Sequence, residues 1–79
     1  MNKQEFFEKL EDSAAKWVEC QLLRGRAGAL YSYKYRGRYF SVIITGLASR
    51  TKDDIVQEIV RCVSDWPDWQ NIELIVEED

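Results

Sequence analysis

Between residues 29 and 45, in ALYSYKYRGRYFSVIIT, the spacing of apolar positions changes from helical to alternating. Tyr31, Tyr33 and Tyr35 recur at every second position, and the run after Gly37 is rich in aromatic and β-branched residues. That pattern predicts two strands joined at Arg36-Gly37. With those two residues as the turn, Tyr33 lies opposite Phe40, Tyr31 opposite Val42 and Ala29 opposite Ile44, all on one side. The other side then holds Leu30, Ser32, Lys34, Tyr39, Ser41 and Ile43, a mixture of apolar and basic or polar groups.

Residues 2–23 read as an amphipathic helix, because Phe6, Phe7, Leu10, Ala14, Trp17, Val18, Gln21 and Leu22 fall mostly three or four apart. Gly25 is placed to end it, since a glycine just past a helix takes the left-handed conformation without strain. A second helix is expected from Thr51, whose hydroxyl can cap it, with Asp53 and Asp54 at the positive end of its dipole. Its buried stripe is expected to comprise Ile55, Val56, Ile59, Val60, Cys62, Val63 and Trp66. Pro67 stops it. Gly46 to Arg50 read as a loop, and Asn71 to Glu77 as a half-exposed strand with Ile72, Leu74 and Val76 facing inward.

The order is thus α-β-β-α-β, an α+β fold forming a two-layer α/β sandwich in one domain spanning residues 1–79. A helix between the second and third strands makes those two parallel. Strand order 2-1-3 is favoured for the three-stranded sheet, with 1-2-3 left open. Both helices are expected on the face that bears Tyr31, Tyr33, Phe40, Val42 and Ile44. Leu30, Tyr39, Ile43 and Ile75 then lie bare on the opposite face, among Lys34, Glu73 and Glu77. So large an apolar patch is more than a monomer ordinarily leaves exposed.

Charge changes this picture more than composition does. The net charge of -3 hides a segregation: residues 1–19 carry -2, residues 20–52 carry +7 with no acid at all, and residues 53–79 carry -8. The basic block holds Arg24, Arg26, Lys34, Arg36, Arg38, Arg50 and Lys52 interleaved with five aromatics, which suits single-stranded RNA or DNA through phosphate contacts and base stacking. Against that, the whole chain is acidic and most of the tyrosines fall on the core face. In the last third, Asp53, Asp54, Glu58, Asp65, Asp68, Glu73 and Glu77 make an acidic surface that could present itself to a basic groove in place of phosphates.

Catalytic equipment is sparse. The chain has no histidine, the usual acid–base group at neutral pH. The Gly25-Arg-Ala-Gly28 run lacks the spacing of a phosphate-binding loop, and no serine sits in a Gly-x-Ser-x-Gly setting. No metal site or cofactor is indicated. Cys20 and Cys62, 42 positions apart, are expected to be two buried thiols of a cytoplasmic protein. No segment is apolar enough to span a membrane.

These readings converge on a small non-enzymatic protein-binding module, in one version a stoichiometric inhibitor of a nucleic-acid-handling protein or complex. The expected contact residues are Lys34, Arg36, Arg38, Tyr39, Ile43 and Ile75, with Trp69 outside the sheet as an aromatic anchor. The same bare face would also serve a homodimer. The alternative is a single-stranded nucleic-acid-binding domain built on the basic aromatic hairpin.

Overall fold

The computed structural model describes residues 2–75. Helix α1 runs Lys3–Leu23, with the Asn2 side chain accepting from the Glu5 N–H at 2.8 Å as its N-terminal cap. At its other end Gly25 (φ +66°) donates to the Leu22 carbonyl and Arg26 donates to that of Gln21. This paired closure satisfies carbonyls that the helix would otherwise leave open.

Strands β1 (Ala29–Tyr35) and β2 (Arg38–Ile44) follow, antiparallel and unbroken in register from Tyr35↔Arg38 to Ala29↔Ile44. Arg36 (φ 49°) and Gly37 (φ 80°) are both left-handed, the conformation of a type I′ turn, whose twist matches that of the strands it joins. Helix α2 covers Lys52–Ser64, capped by the Thr51 hydroxyl, which accepts from the Asp54 N–H at 3.1 Å. Strand β3 (Ile72–Leu74) pairs antiparallel with β1, opposing Tyr33 to Leu74 and Tyr35 to Ile72. The sheet order is β2-β1-β3, so β2 and β3 run parallel on either side of β1.

Both helices pack on one face of this sheet. Tyr31 is buried edge-on against Trp17, and its hydroxyl is 2.8 Å from the Ser13 Oγ. The Trp17 indole N–H donates to the Leu30 carbonyl at 3.1 Å, and that of Trp66 donates to the Tyr33 hydroxyl at 2.7 Å. The large aromatics therefore bring their polar atoms inside only with partners, as burial requires. Burial also pushes the Tyr31 hydroxyl above its ordinary pKa, an effect that the Ser13 bond partly offsets.

The structure departs from the sequence reading at several points. The stretch from Gly46 to Arg50 is not simply a loop: Leu47–Ser49 form a turn of 3-10 helix (η1), and Leu47 is wholly buried. Cys62, expected on the buried stripe, is exposed, while Cys20 is buried, and the two are not joined in a disulfide. At 100° per residue Cys62 points about 90° from the centre of the α2 stripe formed by Ile55, Val56, Ile59, Val60 and Val63. By the same geometry Leu22 lies about 130° off the α1 stripe and is 43% exposed. Trp66 is only half-buried. Asn71 belongs to a short 3-10 turn (η2, Trp69–Asn71), so β3 is described only over Ile72–Leu74; Val76 and Glu77 lie outside the described residues.

Leu47 gives the packing its test. Leu47→Ala should cost about 2–5 kcal/mol in urea unfolding, a large part of the roughly 4–12 kcal/mol that a chain of this length carries. Leu23→Ala, at a site 83% exposed, should stay within about 0.5 kcal/mol of wild type. Equal effects at the two sites would contradict the packing.

Candidate partner-binding surface

Alternation along β1 and β2 places every second side chain on the face away from the helices. There Leu30 is 54%, Tyr39 67% and Ile43 71% exposed. Leu30 opposes Ile43 at one end, Ser32 and Ser41 share a hydrogen bond (3.2 Å) in the middle, and Lys34 lies between Tyr39 and Glu73 at the other end. The Lys34 ammonium sits 4.9 Å from the Tyr39 ring centroid, close enough to hold the two together as a cation–π pair. Ile75 follows β3 and is half-buried. The face is thus an apolar end and a polar end, with paired hydroxyls between them.

The hairpin tip is anchored from below. Asp68, in the connector after α2, accepts from the Tyr35 hydroxyl at 2.9 Å and from the Arg36 guanidinium at 2.6 Å. The Tyr35 bond, followed by those from Arg36 and Asn71, holds the Asp68 carboxyl below the usual carboxylate range. The same Tyr35–Asp68 bond raises the Tyr35 pKa, and Asp68 raises that of Arg36. A backbone bond from Arg36 N–H to the Asn71 carbonyl (3.3 Å) extends the attachment. The turn is fixed against the body of the protein before any partner arrives.

Much of the segregated charge cancels internally. Arg50 bridges Asp54 at 2.8 Å and Glu58 at 2.7 Å, and Lys52 pairs with Glu19 on α1. Arg36 is taken by Asp68. Of the expected contact cations, Lys34 and Arg38 make no ion pair among the described residues. Of the acidic set, Asp54, Glu58 and Asp68 are engaged, whereas Asp53, Asp65 and Glu73 are not, again among the described residues. Glu77 lies outside them.

Trp69 is half-buried rather than projecting, its ring 5.3 Å from that of Phe6. It lids the core beside α1, and its exposed part is separate from the sheet face. A groove of about 360 Å³ between α1 and β3, with Phe6, Ile72 and Leu74 among its apolar lining, carries Lys9 and Lys16 against Asp12 and Glu73 on its rim. Lys16 and Asp12 pair with each other at 3.3 Å. Among the described residues no helix is long and apolar enough to cross a membrane, and no three His, Cys, Asp or Glu side chains gather as metal ligands would. Comparison with protein-family models, curated proteins and solved structures finds no match for this chain.

Two features of this surface escaped the sequence reading. Phe40 and Val42, assigned to the core, are only half-buried, because β2 lies at the edge of the sheet. Alternation alone carries no signal of where a covering layer stops. The anchoring of Arg36 by Asp68 also went unseen, since it joins residues 32 positions apart.

Asp68 makes the anchor sensitive to pH. A carboxyl with a depressed folded pKa contributes stability above its unfolded value of about 4 and loses it as pH falls through the lower folded value. Asp68→Asn should therefore melt below wild type at pH 7, and the gap should close as pH falls below about 4. A gap that stays constant across that range would show that the carboxylate charge adds nothing.

Proposed function

We infer that this chain is a small protein-binding module that recognises its partner through the helix-free face of its sheet and the hairpin tip, without transforming it. The observation that carries this reading is the exposure of Leu30, Tyr39 and Ile43 together on one face with Lys34, next to the hairpin tip where Arg38 stands opposite Tyr35. Apolar area at one end and the exposed Tyr39 ring at the other supply binding energy, and Lys34 and Arg38, which make no ion pair among the described residues, favour a partner with carboxylates near the hairpin end. A cytoplasmic setting accords with Cys20 and Cys62 not being joined in a disulfide.

The acidic surface supports the inhibitor version less well. Asp54, Glu58 and Asp68 already serve internal cations, which leaves Asp53, Asp65 and Glu73 to stand in for phosphates. Nucleic-acid binding has a comparable shortage. Of the five hairpin aromatics Tyr39 alone is exposed, and Arg36, Arg50 and Lys52 are paired. A strip of two cations and one ring is a narrow platform for a single strand.

Capture of a partner from the native host, identified by mass, followed by titration of variants tests this reading. Tyr39→Glu should weaken that complex by at least about tenfold, the scale of a central aromatic contact, with the melting temperature little changed. Raising salt from 50 to 200 mM should weaken it far less than the roughly thousandfold loss expected for six phosphate contacts. A complex indifferent to Tyr39→Glu, or a bait that recovers only nucleic acid, contradicts the reading.

A further inference from the structure

Among the described residues, strand β2 ends the sheet with a free edge. In a two-residue hairpin the pair flanking the turn exchanges hydrogen bonds, so Arg38, Phe40, Val42 and Ile44 direct their backbone groups toward β1. Tyr39, Ser41 and Ile43 direct theirs outward, and no turn, loop or cap bond among the described residues uses them. Exposed edges are ordinarily guarded by proline, a bulge or charged side chains. β2 has no proline, its seven-pair register contains no bulge, and its single charge, Arg38, sits at the turn end. Apolar side chains also flank the edge on both sides: Tyr39 and Ile43 are exposed on the open face, and Phe40 and Val42 are half-buried on the helix side.

We propose that a second copy of this chain occupies this edge, its β2 pairing antiparallel with the first about a two-fold axis at Ser41. The sequence of β2 is self-complementary in that register. Ser41 is the strand's midpoint, so the outward groups at positions 39, 41 and 43 meet those at 43, 41 and 39 of the second copy. The cross-strand pairs become Tyr39 with Ile43 on the open face and Phe40 with Val42 on the helix side, aromatic against β-branched in both cases. The two Arg38 side chains stand at opposite ends, about 20 Å apart by strand rise, so no like charges face each other. Strand pairing adds about six backbone hydrogen bonds. The product is a six-stranded sheet with all four helices on one side and a doubled open face, an assembly independent of what that face binds.

Sedimentation equilibrium of the full chain at about 10–300 µM, the range suited to an interface below the standard size, should show the mass rising from 9.3 kDa toward twice that value. Ser41→Lys and Ser41→Glu each place like charges opposite one another at the axis and should stay monomeric, while an equal mixture should regain the dimer. Leu30→Lys, on β1 and away from the edge, should leave the dimer intact. A wild-type chain monomeric throughout, single Ser41 variants that dimerise as well as wild type, or a mixture that stays monomeric overturns the proposal. So does a dimer abolished by Leu30→Lys, which would mark face-to-face stacking. Circular dichroism confirms that each variant is folded. Partner capture by Leu30→Lys, which alters the open face but not this edge, separates the two readings: a dimer that has lost its partner marks the face, and a monomer that keeps its partner marks the edge.

Discussion

The turn at Arg36-Gly37 is the constraint on which the rest of the molecule depends. Two consecutive residues with positive φ close the hairpin in the smallest possible loop and so fix its register. Because side chains alternate, a slip of one residue would send every one to the other face. The fixed register puts Tyr31, Tyr33, Phe40 and Ile44 under the helices and leaves Leu30, Tyr39 and Ile43 in water. Glycine suits the second of these positions at no steric cost. Arginine at φ 49° is strained, and its guanidinium is held there by Asp68 and lies over the Tyr35 ring. The turn that sorts the two faces is thus itself tied to the connector before β3.

Charge plays a second organising part. The +7 block and the acidic segments on either side of it meet in space through pairs that join distant parts of the chain, Arg36 to Asp68 and Lys52 to Glu19. Exposed pairs of this kind contribute little each. Their larger consequence is subtractive, since they remove three of the seven basic side chains, counting Arg50, from any role in recognition. Among the described residues the cations near the sheet that make no ion pair, Lys34 and Arg38, lie at the hairpin end. What looks in one dimension like a nucleic-acid surface becomes in three an apolar face with a modest basic end.

Local physics made much of this legible. The helix cap at Thr51, the closure at Gly25 and the hairpin register follow from spacing and from residue-specific backbone preferences, whereas the β2-β1-β3 order is the favoured one of two that the pattern allows. The bare face followed from alternation combined with the placement of both helices. The misses share a different origin. Leu47 reads as a loop residue because nothing within five positions reveals that it joins the core. Cys62 sits on the flank of an apolar stripe, where only the position of the neighbouring layer decides burial. Trp69 became a lid because Phe6, 63 positions earlier, is beside it. Each depends on tertiary proximity, which no local pattern encodes.

Solvent access to the four tyrosines tests the central claim most directly. In photochemically induced nuclear polarisation of the monomeric chain, Tyr39 should give a strong signal, Tyr31 and Tyr33 none, and Tyr35 a weak one. A silent Tyr39 accompanied by polarised Tyr31 and Tyr33 would mean that the faces are exchanged, and the account of where this protein binds would be wrong.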